Sequence, residues 1–296
     1  MNFAGCGSGY AFACEPCSHA AFLWQCQSSD GRVGIHSVHP EPDAALSAAS
    51  DRIHGMTSAT AADYGWIRSS TSPFRYALEA GYTLTLVRGV SPAELFRIAG
   101  AEPGDPCHGL EELIEQHSEL LDDSGDWPES FLTGAFTVPG SDGQWTLALE
   151  FGGELGMRES LMEALSSGTR AVSHSSNGGK PMDFFHWYED GVLRTTFEWA
   201  AHRTGSTPDD LNAVMRELGL NPDGDPVPGT DTKAAVLALT ERLTGVRVTA
   251  DLLANSVYQT AEVADVRTRP ARPALKEHGR VPTHSKLGME PSENDL

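Results

Sequence analysis

The chain lacks any run of about 18 apolar residues, the length a membrane-spanning helix requires, so no such helix is expected. Basic residues are scarce. Lys and Arg total 21 against 41 Asp and Glu in 296 residues, for a net charge of −20. A chain of that sign is repelled by phosphate backbones and anionic lipid, which argues against nucleic-acid and membrane-surface binding. Cysteine is almost missing from the body: Cys6, Cys14, Cys17 and Cys26 lie near the start and only Cys107 lies beyond them. A disulfide framework therefore does not hold the fold. The first residues have neither the positive charge nor the apolar core of a secretory signal. AFAC, ending at Cys14, lacks the flanks of a lipoprotein cleavage site, and the expected location is the cytoplasm. Phosphate-binding loops, dinucleotide glycine fingerprints, nucleophile elbows and zincin helices are also absent from the sequence. Asn221, Asp223 and Asp225 imitate the start of a calcium loop, but Pro226 stands where glycine is needed, so the segment reads as a plain loop. No cofactor is expected.

What is present falls into three parts. Residues 1–58 are rich in Ala, Ser, Gly, His and Pro without a sustained period and read as a disordered, low-complexity extension. Translation starts at either Met1 or Met56, and the sequence alone does not distinguish them. Residues 266–296 alternate basic residues with prolines, hold six of the 21 basic residues, and read as a second tail. Residues 59–265 carry the periodicities of one folded domain.

Within that domain, Tyr82, Leu84 and Leu86 alternate with Thr83 and Thr85, the pattern of a half-buried strand. Ser91, Pro92 and Glu94 predict a capping box with proline at the first helical position, and Gly100 ends that helix. Leu110, Leu113, Ile114, His117 and Leu121 share one face of a second helix. Trp145, Leu147, Leu149 and Phe151 alternate in a strand, followed by a short helix over 157–165. TRAVSHS, MDFFHWYE and VLRTTFEW read as three further strands, the last two joined by the tight turn Glu189-Asp190-Gly191. Helices are predicted from Thr207 to Leu218, through Val236, Leu239 and Leu243, and after Thr249. The fold class is α+β: a mostly antiparallel central sheet of about five strands, covered by helices on one face.

YTLTLVRG with SPAELFRIAGA, WTLALEFGGELG, LSSGTRAVSHSSN, DGVLRTTFEW, PDDLNAVMRELGL and ALTERLTGVRVTADLL together resemble a family of uncharacterised actinobacterial proteins known only as a domain of unknown function. The resemblance covers roughly residues 60–260 and excludes both tails. It implies one acidic domain and transfers no functional residue.

Four groups of residues are candidates for chemistry. Cys14-Glu-Pro-Cys17 has the spacing that lets two thiolates reach one zinc, with Cys6 and Cys26 able to complete the set, though outside the central pair the spacing fits no standard site. Between Arg97 and Arg158 there is no Lys or Arg but thirteen Asp or Glu. Glu111, Glu112, Glu115 and Glu119 stand on the exposed side of one helix, where like charges four apart cost a few tenths of a kcal/mol each. A solvated face and a surface for a basic protein both account for them. Glu150, Arg194 and Glu198 point away from the apolar side of their strands, either as cross-strand ion pairs or lining a cleft able to do acid/base work. His174, His186 and His202 would need one shared face to bind a metal, and spacings of 12 and 16 residues suit no local motif.

The function expected from these signals is non-enzymatic: an interaction, immunity-like or regulatory domain whose acidic helical face meets another protein with a basic surface. The alternative is a small-molecule binding protein or enzyme working at Glu150, Arg194 and Glu198.

Overall fold

The computed structural model describes residues 58–124, 130–178 and 183–264, together with the backbone of three short strands nearer the start. Those three, β1 (Gly9–Cys14), β2 (His19–Gln27) and β3 (Val33–Ile35), pair antiparallel in a sheet of their own, where the sequence pattern assigned no element.

A nine-stranded antiparallel sheet organises residues 82–264. Its strands are β4 (Tyr82–Arg88), β5 (Glu102–Pro103), β6 (Cys107–His108), β7 (Ser130–Gly140), β8 (Gly143–Phe151), β9 (Arg170–Ser176), β10 (Asp183–Glu189), β11 (Val192–Phe197) and β12 (Val257–Ala264). The order across the sheet is β11-β10-β9-β4-β8-β7-β12-β5, with β6 also pairing β12. The fold is α+β as expected, but with nine strands rather than about five. The unforeseen strands are β7, β12 and the two-residue β5 and β6. β7 is broken in pattern by Gly134 and Pro139, and β12 carries small residues where a core strand usually shows large ones.

Seven α-helices are described: α1 (Arg75–Ala80), α2 (Pro92–Ala99), α3 (Gly109–Ser124), α4 (Glu159–Leu165), α5 (Asn212–Glu217), α6 (Thr232–Thr244) and α7 (Ala250–Asn255). Single-turn or short 3-10 helices occupy Ala61–Arg68, Leu155–Met157 and Ala200–His202. Ser91 Oγ caps α2 by accepting the Glu94 amide at 3.2 Å, but the reciprocal half of the expected capping box is not made. The Glu94 carboxylate instead takes both arms of Arg97. The helix expected from Thr207 begins only at Asn212, because 207–211 turn on themselves through Asp210 N–H to Thr207 O and Asn212 N–H to Asp209 O. Asp190 and Gly191 both adopt positive φ in the β10–β11 turn, as the tight-turn sequence predicts.

The sheet is covered on both faces, not one. Alternation gives the two faces different chemistry. One presents Tyr82, Leu84, Leu86, Trp145, Leu147, Leu149 and Phe185, all essentially buried, against α3, α6 and the Ala61–Arg68 helix. Each such side chain contributes on the order of 1.5–3 kcal/mol by leaving water. The other carries Val87, Ala135, Ala148 and Ala171 against α2 and α4, with Thr83, Thr85, Thr133, Thr146 and Ser173 buried among its strands. Short apolar side chains are enough there, because small helices and a loop approach closely.

Both edges of the sheet are masked. The backbone of 204–207 bonds to β11, through the mutual Thr196–Thr204 pair and the Ser206 and Thr207 amides. The two-residue strands β5 and β6 shield β12, with Gly104, Asp105 and Pro106 between them. Interruptions of this kind discourage edge-to-edge pairing with another chain.

The end of α6 is seated tightly on the β7–β8 turn. A β-carbon built on Gly140 would stand 2.5 Å from the Thr244 carbonyl and 2.5 Å from the indole nitrogen of the fully buried Trp145. Neither can yield easily, so Gly140→Ala is expected to cost about 1–3 kcal/mol in urea unfolding. Gly65 meets nothing within 4 Å, and Gly65→Ala should be neutral or stabilising by up to about 1 kcal/mol. Equal midpoints for the two variants would refute this picture of the packing.

Candidate functional site

The hydroxyl-bearing face of the sheet is crossed by the segment Gly152–Met157, which leaves β8 and folds back over β4 and β9. This strap lies close because both partners are small. A β-carbon on Gly156 would collide with Thr85 Oγ1 and stand 2.6 Å from Ser173 Cβ. Backbone polar groups of the strap are satisfied by the sheet's hydroxyls. Thr83 Oγ1 donates to the Gly153 carbonyl at 3.0 Å, and Ser173 Oγ donates to the Gly156 carbonyl at 2.6 Å. Thr83 also reaches Ser175 Oγ at 2.9 Å.

Glu150 lies under the strap, 2 % exposed. One carboxylate oxygen accepts the Leu155 amide and the other accepts Thr133 Oγ1 at 3.0 Å. Burial pushes its pKa up to about 7, against which the two hydrogen bonds and the positive charge of Arg158 act only in part. Gly153 is glycine because any side chain there would occupy the carboxylate's place, 2.6 Å from Oε2. His186 lies on the same face. Its Nε2 is 3.1 Å from Met157 Sδ on the strap and its Nδ1 is 3.0 Å from Thr196 Oγ1. Burial lowers its pKa to about 4.

At the ends of β4, β8, β9 and β10 the strap borders a polar cleft of about 360 Å³. Gly81, Gly153, Met157, Ser175, Ser176 and Asn177 are among the residues that line it. Behind Ser176, the buried Lys233 at the start of α6 places Nζ 2.7 Å from Ser176 Oγ. Neither residue stands out in the sequence. The available signal was that a lysine occupies the first turn of a helix that is apolar on nearly every side.

The residues expected from sequence fall in separate places. Glu150 is on β8 and Arg194 on β11, four strand spacings or roughly 19 Å apart. Arg194 instead pairs with Asp210 at 3.6 Å and stands 5.8 Å above the Trp187 ring. Glu198 adjoins Trp199 beyond the end of β11. The three do not form one polar cleft. The histidines are equally dispersed: His174 Nδ1 meets the Tyr82 hydroxyl at 3.2 Å on the apolar face, His186 is beneath the strap, and His202 is exposed. Among the described residues no group of three or more His, Cys, Asp or Glu could hold a metal. Of the zinc candidates, Cys14 and Cys26 fall on β1 and β2, whereas Cys6 and Cys17 lie outside the described residues. The calcium-loop imitation is a loop held by Asn221 Nδ2 to the Asp225 carbonyl and by Arg216 to Asp223.

The four glutamates of α3 divide. Glu112 is half-buried and accepts the His108 amide at 2.6 Å, fixing the start of the helix. Glu111, Glu115 and Glu119 are exposed in one stripe, continued by Asp122.

Residues 57–268 match the model of a family described as "Family of unknown function (DUF6461)", and the chain belongs to that family. No curated protein and no solved structure matches it.

The two buried titratable groups beneath the strap oppose each other. Glu150 keeps its proton in the fold while the unfolded chain loses it near pH 4.5, so its contribution falls as pH rises toward 7. His186 stays neutral in the fold while the unfolded chain takes a proton near pH 6.5, so its contribution falls as pH drops toward 4. Between those limits the slopes cancel. Relative to the wild-type curve, Glu150→Gln should gain stability from pH 4.5 to 7, by at most about 3 kcal/mol. His186→Gln should gain from pH 6.5 down to 4. Chemical denaturation across this range reads both, and curves parallel to wild type would contradict the assignment.

Proposed function

We propose that this is a cytoplasmic interaction protein, of regulatory or immunity type, which receives a basic protein surface on the outer face of α3. The supporting observation is a segregation of charge in three dimensions. Residues 98–157 and 248–264 contain no Lys or Arg, and they build β5, β6, β7, β8, β12, α3 and α7, which adjoin one another. Elsewhere, exposed carboxylates are engaged by arginine: Asp63 by Arg247, Asp223 by Arg216, Asp231 by Arg68 and Glu217 by Arg242. Among the described residues no ion pair reaches Glu111, Glu115 or Glu119.

Two costs accompany that stripe. Carboxylates spaced four apart repel, and those near the end of α3 oppose the helix dipole with no basic residue in the last turn. A partner's Lys or Arg side chains would relieve both costs. Long-range attraction between such surfaces also speeds encounter and weakens with salt.

The test is a triple reversal, Glu111→Lys, Glu115→Lys and Glu119→Lys, in the tagged full chain. Quantitative affinity capture from the native host, followed by mass spectrometry, should recover a stoichiometric partner with the wild type. Recovery should fall about tenfold or more with the triple variant, and also with the wild type as salt is raised well beyond 0.15 M. Folding should change little, because these side chains are exposed and take part in no side-chain hydrogen bond or ion pair among the described residues. A partner retained equally by both proteins at low and high salt would overturn the reading.

A further inference from the structure

We propose that the pocket between α2 and the β5–β6 connection is a docking site for a proline- and arginine-bearing segment, and that its occupant is this chain's own continuation, residues 266–276. The inference is independent of the acidic stripe, which α3 carries on the opposite face of the sheet. The pocket encloses about 380 Å³, and Ala93, Phe96, Ala101, Pro103 and Pro106 line it, with Gln259 of β12. Pro103 pairs with Ala261, which packs under α2 together with Val263, and Gln259 lies on the same side of its strand. Ala93, Pro103 and Pro106 are exposed there. The floor is set before anything binds: the Gly104 amide donates to the Thr260 carbonyl at 2.9 Å, and Thr260 Oγ1 donates to the Asp105 carbonyl at 2.6 Å. A preformed groove of rings and small apolar side chains suits an extended proline-bearing segment, which has little order left to gain on docking.

Charge and reach select the occupant. Arg97, which also lines the pocket, is closed onto Glu94 by both arms of its guanidinium. On the other side of the short strand β5, Glu102 and Glu262 are exposed and directly opposite each other, a like-charge pair that costs stability. Asp105, between Gly104 and Pro106, is exposed as well. Among the described residues no ion pair reaches these three carboxylates. The matching occupant joins apolar groups to positive charge. VRTRPARPALK, residues 266–276, does so by interleaving Pro270, Pro273 and Leu275 with Arg267, Arg269 and Arg272. It follows directly on β12, whose Ala264 carbonyl accepts from Arg158, the residue before α4. α4 packs beside α2 on the face where the pocket opens. From Ala264 back to Gln259 is about 17 Å along the strand. Residues 265–270 span about 20 Å when extended, so Pro270 is the first proline able to enter, and Pro273 and Leu275 arrive with slack. A segment tethered this near its site has an effective concentration on the order of millimolar, so weak docking is enough to fill the pocket.

The experiment replaces Leu275 with the photo-cross-linker p-benzoylphenylalanine in the full chain. A mixture of light and isotopically heavy chains is irradiated, and the cross-links are mapped by mass spectrometry. Links from position 275 to residues 93–106 or 259–260 are expected, with light joined to light and heavy to heavy. Reversing the segment's charge with Arg267→Glu, Arg269→Glu and Arg272→Glu together should lower that yield about fivefold or more. Ala93→Arg, which puts a bulky cation at the pocket from an exposed helix position, should do the same. Circular dichroism and thermal melting report the folding of each variant. The charge reversal changes no residue between 58 and 264, so it decides the matter even if Ala93→Arg fails to fold. Light-to-heavy links at the pocket would assign it to a second copy, and links to α3 would put the segment on the acidic stripe. Either result, no link at the pocket, or a yield that the charge reversal leaves unchanged would overturn the proposal.

Discussion

The two faces of the central sheet differ in side-chain size, and much of the structure follows from that difference. On β4 and β8 the alternation puts Tyr82, Leu84, Leu86, Trp145, Leu147 and Leu149 to one side and Thr83, Thr85, Thr146 and Ala148 to the other. Large apolar groups demand broad cover, which α3, α6 and the first 3-10 helix provide. Threonines and alanines stand low, so a bare loop can lie directly on them if its backbone finds partners. The strap Gly152–Met157 meets that condition, because its carbonyls accept from Thr83 and Ser173 and its Leu155 amide goes to Glu150. Gly153 and Gly156 are what allow contact at that distance.

Closing the strap takes two ionisable side chains out of water. Glu150 on β8 and His186 on β10 are three strand spacings or roughly 14 Å apart, too far for an ion pair. Here each has its own uncharged partners, Thr133 and the Leu155 amide for Glu150, Thr196 and Met157 for His186. Burial holds both groups neutral through mildly acidic pH, and their opposed titrations cancel over that interval. Neutral, hydrogen-bonded polar groups are cheaper to bury than charges.

Sequence periodicity located the elements whose patterns are clean. Strand β4, helices α2 and α3, the hairpin of β10 and β11 and the caps at Ser91 and Thr249 follow from residues near one another in the chain. β7 and β12 were hidden because Gly134, Pro139 and a run of small residues suit a close-packed strand but imitate a loop. The acidic helix was legible, since charge and helical spacing are both local, although the use of Glu112 at the helix start was not. The Ser176–Lys233 pair spans 57 residues and joins a strand to a helix. The dispersal of Glu150, Arg194 and Glu198 depends on strand order. Neither is encoded at short range.

The acidic face and the cleft lie over different parts of the same sheet. α3 rests on β7 and its neighbour β12, whereas α6, which carries Lys233, rests on β9 and β10. β9 and β7 are separated by β4 and β8, three strand spacings or roughly 14 Å. A protein seated on Glu111, Glu115 and Glu119 therefore need not cover Ser176, and a small molecule in the cleft need not displace it. Charge reversal on α3 acts through exposed carboxylates that fix nothing in the fold, and should leave the Ser176–Lys233 hydrogen bond intact. Replacement of Ser176 removes one hydroxyl at the other end of the sheet and should leave the acidic stripe unaltered. Coupling between the two sites would then require a change in the sheet itself, which its continuous antiparallel pairing from β11 to β12 resists.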